Sequence, residues 1–310
     1  MIRLARIDHV GLRVEELDEA AERWCSQFGL VERSREGEVV HLACDDEPYC
    51  LELSAADGEA VGIEHVAWEL HPDCDLDAVR AHLEGLEIEV DEDLAGGLTC
   101  RDLEGNRIQL LPARDRTGVE RYVQHARPVA GVPGAPRKLG HVNFLTGRLK
   151  EQTGFYTNAL GMKVSDRLED AGVWLRIDSE HHVMALVDTG AAHPHHLAFE
   201  YVDFGHKIAA LDHLARHGRW LGWGPVRHGI AGNMASYVRI VEEGCFVELF
   251  CDMERVPEDH EPRNYPDDRF SSNTWGPLPP RSYFRFDQAA IESERESLET
   301  RGVPLTPLEK

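Results

Sequence analysis

The segment "IDHVGL" at residues 7–12 returns as "LGHVNF" at residues 139–144, and the residues after each copy repeat as well. Each copy reads as a strand, then a helix with apolar residues near helical spacing, then another strand, with Gly29 and Gly161 as the matching helix ends. Further on, "IEHVAWELHP" around His65 has its counterpart in "HHLAFEYVDF" around His196, and each is followed by a short helical stretch. The halves close on "GNRIQLLPA" and "GCFVELFCD". His9 to His65 spans 56 residues (65 − 9) and His141 to His196 spans 55 (196 − 141), so matched histidines recur at nearly equal separation. Repetition on this scale predicts a duplicated α+β unit. The dividing segment is "ARPVAGVPGAPRK", residues 126–138, whose Pro and Gly content marks a linker. That gives an N-terminal unit over 1–125, a C-terminal unit over 139–254, and a tail over 255–310 rich in Pro, Asp, Arg and aromatics. The tail reads equally well as a lid or as a surface extension.

Composition narrows the partners. A formal charge of −23 in 310 residues argues against nucleic acid and anionic membrane, both of which need a basic surface. No apolar run approaches the roughly 20 residues that span a bilayer, and the N-terminus lacks a signal-peptide pattern, which makes the cytoplasm the expected location. Seven cysteines with no C-x-x-C fit reduced thiols. A small molecule is the expected partner.

The two halves differ in one telling place. Where the first ends its repeat with Gln109, the second has Glu248, completing a set with His141 and His196. Two neutral imidazoles and one carboxylate anchor a divalent metal while leaving about three octahedral positions open, the pattern of non-haem Fe(II) centres, with Mn(II) the near alternative. A single histidine in an apolar strand is more often a core residue than a ligand. A buried acid with no partner is costly, however, and a purely structural pair of histidines would not call for one. In the first half, Gln109 replaces the acid, and the position 14 before His65 is Leu51, so His9 and His65 read as relics used in packing or hydrogen bonding and the first unit as lacking a working metal site.

From about residue 5 to residue 285 the chain resembles the vicinal oxygen chelate superfamily, and within it the type I extradiol ring-cleaving dioxygenases, including their "TWGPLPPRSYF" tail. The motifs are "GHVN" with His141 and Asn143, "HLAFEY" with His196, and "VEL" with Glu248. The resemblance implies two tandem domains of repeated βαβββ modules, metal ligation by His141, His196 and Glu248, and a catalytic His182, which precedes His196 by 14. It further implies Trp174 as a wall of the substrate pocket, and His228 and Tyr237, nine apart, as hydrogen-bonding partners of substrate, with Asn143 near the O2 side. Tyr237 and Glu248 stand 11 apart, one more than the family spacing, which an extra residue near Glu242 to Gly244 absorbs. His181 adjoins His182, and only one of two neighbours on a strand faces a given side; His182 is the one expected to face the site. His193, His195 and His228 remain open to a solvated-loop role, and Tyr237 to that of a half-buried strand aromatic.

The activity implied is insertion of O2 into a catechol with cleavage beside the hydroxyls to a muconic semialdehyde, with Fe(II) or Mn(II), in a homo-oligomer. A metal-dependent isomerase or lyase of the same superfamily and a metal-free small-molecule binding protein are the alternatives. The second would carry apolar residues at 141, 196 and 248, unlike this chain. Relatives that take carboxylated catechols carry an arginine where Trp223 stands, so Trp174, Trp223 and Phe155 suggest an aryl- or alkyl-substituted substrate, with Arg227, Arg263, Arg269 and Arg281 as other carboxylate partners.

Overall fold

The computed structural model describes residues 2–44, 47–93, 96–115, 129–280 and 283. The first half contains β1 (Leu4–Val14), α1 (Leu17–Phe28), β2 (Val31–Glu36), β3 (Val39–Ala43) and β4 (Leu51–Ala55), then β5 (Gly62–Leu70), α2 (Leu76–Glu84), β6 (Asp91–Glu92), β7 (Leu98–Arg101) and β8 (Arg107–Leu111). The second half repeats the series with β9 (Lys138–Thr146), α3 (Leu149–Asn158), β10 (Lys163–Leu168), β11 (Gly172–Arg176) and β12 (Met184–Asp188). It continues with β13 (His193–Glu200), α4 (Phe204–Arg216), β14 (Leu221–Arg227), β15 (Met234–Ile240) and β16 (Cys245–Cys251). The expected βαβββ module thus occurs four times, two per half. A short β17 (Arg263–Tyr265) pairs in parallel with β10, and α5 (Arg269–Ser272) comes after it.

Each half forms one sheet. The first runs β2-β3-β4-β1-β5-β8-β7-β6, and the second β14-β15-β16-β13-β9-β12-β11-β10-β17. The two central strands of each sheet are therefore the first strands of its two modules, β1 with β5 and β9 with β13. Both central pairs are antiparallel, and both carry the paired histidines. Gly29 and Gly161 share a left-handed φ of 73°, a conformation that suits glycine, and both close a helix: Leu30 N–H bonds Trp24 C=O at 3.3 Å, and Met162 N–H bonds Tyr156 C=O at 3.1 Å. Asp203 caps α4 by accepting from His206 N–H at 2.8 Å.

One apolar core runs through both halves, from Ile2 and Trp24 to Val247 and Leu249. Trp24 on α1 lies 4.8 Å from Phe28 and 6.4 Å from Phe199 of the other sheet, ring centre to ring centre. Beside it His213 donates to Ser26 C=O at 2.7 Å and Arg219 Nε to Gln27 at 2.8 Å, while Tyr156 OH donates to Asp102 at 2.9 Å. Of the expected linker, residues 126–128 lie outside the described residues, and Lys138 already opens β9. The expected tail is described only over 255–280 and at Tyr283, so the lid expectation falls largely outside the described residues. Among the described residues no helix is long and apolar enough to cross a membrane.

Trp24 is fully buried and touches both halves, so Trp24→Ala should cost about 3–5 kcal/mol. Equilibrium denaturation is expected to show one transition shifted to lower denaturant.

Candidate metal centre

Strand register brings the site together. His141 on β9 lies opposite Ala198 on β13, Ala198 opposite Glu248 on β16, and Glu248 opposite Tyr237 on β15. A second row runs Trp174, Ala185, Asn143, His196 across β11, β12, β9 and β13. Residues two apart on a strand share a face, so both rows look into one pocket. Its lining includes His141, Asn143, Trp174, His182, His196, His228, Tyr237 and Glu248, every site residue expected from the sequence. The 11-residue separation is absorbed as expected: Tyr237 and Glu248 are direct partners and the extra residue lies in the turn before Cys245.

Glu248 Oε2 stands 3.0 Å from His141 Nε2 and 3.2 Å from His196 Nε2. Metal bonds of about 2.1 Å set adjacent octahedral vertices about 3 Å apart, so these spacings fit three ligands on one face of an octahedron. The proton inventory agrees. His195 Nε2 donates to the Tyr283 carbonyl at 2.6 Å, which leaves His195 Nδ1 to accept from His196 Nδ1 at 2.8 Å. His196 Nε2 is then a bare lone pair pointing at a carboxylate oxygen, an arrangement that repels unless a cation lies between them. Asn233 Nδ2 occupies the other Glu248 oxygen at 3.0 Å. His141 Nδ1 is buried without a hydrogen-bond partner. The donor set therefore fits a divalent cation.

Around these ligands a similar chain of bonds fixes His182. Asp166 accepts from His181 Nε2 at 2.8 Å, so His181 Nδ1 accepts from His182 Nδ1 at 3.1 Å, and Nε2 of His182 keeps the free lone pair. Its ring lines the pocket 4.4 Å from that of His141. Burial, then the rings of His141 and His181, pull its proton affinity well below the imidazole norm. Asp166 is itself clamped by Arg263, which also pairs with Glu254. His228 donates through Nδ1 to the Ser272 carbonyl and accepts from Tyr237 OH, both at 2.8 Å. Burial and the nearby Glu248 push the Tyr237 hydroxyl well up, so it stays protonated.

Three expectations need correction. Phe155 is not a pocket wall: it sits on α3, which covers the outer face of β11 and β12, beside a separate groove near Arg107. His195 is fully buried rather than a solvated loop residue, and supports His196. Arg227 is paired with Asp252 and Arg263 with Asp166 and Glu254, so neither is a free carboxylate partner; the Arg269 side chain and Arg281 lie outside the described residues. Sequence reasoning misses His181, His195, Asn233 and Asp166 as supports. The doublets His181-His182 and His195-His196 are the available signal.

In the first half the expected relic rests on Gln109 in place of the acid. Gln109 does occupy the Glu248 position, opposite Ala67 as Glu248 is opposite Ala198. Yet a carboxylate arrives from another strand: Glu52 on β4 joins His9 and His65, their ligating atoms all within 4.8 Å of one another.

Residues 6–110 and 138–240 match the sequence profile of the Glyoxalase/Bleomycin resistance protein/Dioxygenase superfamily. Metapyrocatechase 2 of Cupriavidus necator is 27% identical over 319 residues, covering 91% of this chain and 92% of that protein. The manganese-dependent 2,3-dihydroxybiphenyl 1,2-dioxygenase of Geobacillus genomosp. 3 is 25% identical, covering 80% and 85%. The crystal structure of the Mn(II)-bound glyoxalase from Novosphingobium aromaticivorans superposes with a TM-score of 0.78 at 23% identity, covering 91% and 94%, which shows the shared fold.

Because His195 only orients His196, His195→Ala should weaken metal held by this triad about 10–100-fold while His196→Ala removes it. Chelator competition with Mn(II) is the measurement.

Proposed function

The chain belongs to the Glyoxalase/Bleomycin resistance protein/Dioxygenase superfamily, and on that premise we propose that it is an extradiol dioxygenase, cleaving a catechol beside its hydroxyls with both atoms of O2 to give a muconic semialdehyde. One observation carries the reading: His141, His196 and Glu248 converge in the same pocket as a basic imidazole nitrogen on His182 and a hydroxyl on Tyr237. The full-length likeness to proteins named metapyrocatechase supports it. Fe(II), with Mn(II) as the alternative, suits the donor set and would supply a path for electron density between a chelated catecholate and O2.

The chain's own groups account for the rest. A catechol binding at the open face loses a hydroxyl proton, and His182 Nε2, uncharged at neutral pH, takes it and later returns it to the departing oxygen. On binding, the Tyr237 hydroxyl would turn from His228 to the bound oxygens, and Asn143 would flank the O2 position. Trp174, with Leu168, Val187 and Ile230, makes an apolar wall, and among the described residues no Lys or Arg lines the pocket. An alkyl or aryl substituent therefore fits better than a carboxylate. Division of the chain into units 1–125 and 139–254, a homo-oligomeric state, and a cytoplasmic setting consistent with seven free cysteines complete the reading.

Protein loaded anaerobically with Fe(II) and given a panel of catechols in air should produce the yellow ring-opened product, faster with hydrophobic substituents than with carboxylates. Absence of product on every catechol would overturn the proposal in favour of an isomerase or lyase. His182→Asn should retain metal yet lose about 10²–10⁴-fold in kcat. A base of lowered proton affinity is lost only when it protonates, so the acid limb of kcat/KM should lie below the ordinary imidazole value of about 6.5 and shift or vanish in this variant.

A further inference from the structure

We infer that the first half holds a second divalent transition-metal ion, of the Zn(II) or Co(II) kind, ligated by His9, His65 and Glu52 in a non-catalytic site. His9 Nε2 and His65 Nε2 face each other at 3.0 Å and Glu52 Oε2 lies 4.0 Å from His9 Nε2, on either side of the ligand–ligand edge of about 3.4 Å that tetrahedral bonds of about 2.1 Å give. Each ring is turned by a hydrogen bond at its other nitrogen: His9 Nδ1 to Asp8 at 2.7 Å, and His65 Nδ1 to Glu64 at 3.1 Å. Carboxylates accept, so both Nδ1 atoms carry the protons and both Nε2 atoms are lone pairs directed at one another. Orienting carboxylates of this kind are the usual companions of metal-bound histidine.

The backbone is shaped for this arrangement. In the second half the ladder skips Gly140 before His141 and His195 before His196. In the first it skips Asp8 before His9 and Glu64 before His65, the same places in the repeat. Such shifts re-aim neighbouring side chains beside functional sites, and here they let each acid reach the ring next to it. The first half is the better furnished of the two, since Asp8 fills the place that Gly140 leaves empty beside His141 Nδ1. Asp8 in turn takes Arg114 at 2.7 Å, and Glu64 takes Arg13 and Arg107.

What surrounds the site is equally specific. Register places Glu52 where the second half has Ala185, His41 where it has Trp174, and Gly11 where it has Asn143. A Cβ on Gly11 would lie 2.1 Å from the His65 ring, so glycine makes room for the ligand. His41 Nε2 holds Glu52 Oε2 at 2.9 Å, and Ser34 pairs with its Nδ1 at 2.9 Å. Tyr49 takes the His182 position and stacks on His41 with ring centres 4.1 Å apart, its hydroxyl bonded to Arg114. His41 and Tyr49 thus stand where the second half presents Trp174 and His182 to its pocket. A metal would clamp β1, β4 and β5 together.

Apo-protein titrated anaerobically with Co(II) tests this independently of any catechol activity. Two equivalents per chain are expected in the visible spectrum of the wild type, one in Glu52→Gln and in His65→Ala, and one in His196→Ala. The His196→Ala protein should also gain thermal stability on addition of Zn(II), and Fe(II)-loaded Glu52→Gln should still cleave any catechol that the wild type cleaves. Saturation of the wild type at one equivalent, with Glu52→Gln unchanged, would overturn the inference and leave His9 and His65 as a pair sharing a proton.

Discussion

Three polar groups converge here in a buried pocket: the lone pair of His196, the Nε2 of His141 and a carboxylate oxygen within 3.2 Å of both nitrogens. Left to itself such a cluster would protonate or spread apart. It is held because its members are fixed from behind. Tyr283 C=O sets the proton on His195, His195 sets the tautomer of His196, and Asn233 takes the outer oxygen of Glu248. The arrangement suits a cation, and the architecture around the pocket preserves it. A core continuous across both halves offsets the local cost of assembling it.

The same economy of means appears at His182, the proposed acid–base group. His182 would be ambiguous as an isolated buried imidazole, with either nitrogen able to carry the proton. The chain from Arg263 through Asp166 and His181 removes that ambiguity and leaves the lone pair on the ring nitrogen away from His181. Positioning is thus delegated to adjacent histidines, one presented to the pocket and one turned to the interior. At the irregularities of its central ladder the first half carries acids instead, Asp8 and Glu64, each bonded to the next histidine. Duplication has kept a geometry and varied the residues that enforce it.

Much of this was legible in the sequence. The repeat, its helix-ending glycines, the meeting of His141, His196 and Glu248 and the turning of His182 rather than His181 to the pocket all arise from patterns visible in the sequence. What escaped depends on contacts between strands. Counting back 14 residues from His65 reaches Leu51, yet the counterpart of His182 is Tyr49, because the β4-to-β5 connection is two residues longer than its equivalent: 65 − 51 = 14 against 196 − 184 = 12. Glu52 is overlooked for a related reason, since its place in the repeat belongs to Ala185 and only register shows that it points at the histidines. Phe155 looks like a pocket aromatic, but helix α3 packs on the opposite face of the sheet from the site. Spacing identifies residues on one strand well and residues on different strands poorly.

The most direct measurement is turnover of a hydrophobic catechol by the Fe(II)-loaded protein under ¹⁸O2, with the ring-opened product analysed by mass spectrometry before its aldehyde oxygen exchanges with water. Two labelled oxygen atoms in each product molecule are expected. Product without label, or with label in only one position, would contradict dioxygenation at the triad of His141, His196 and Glu248.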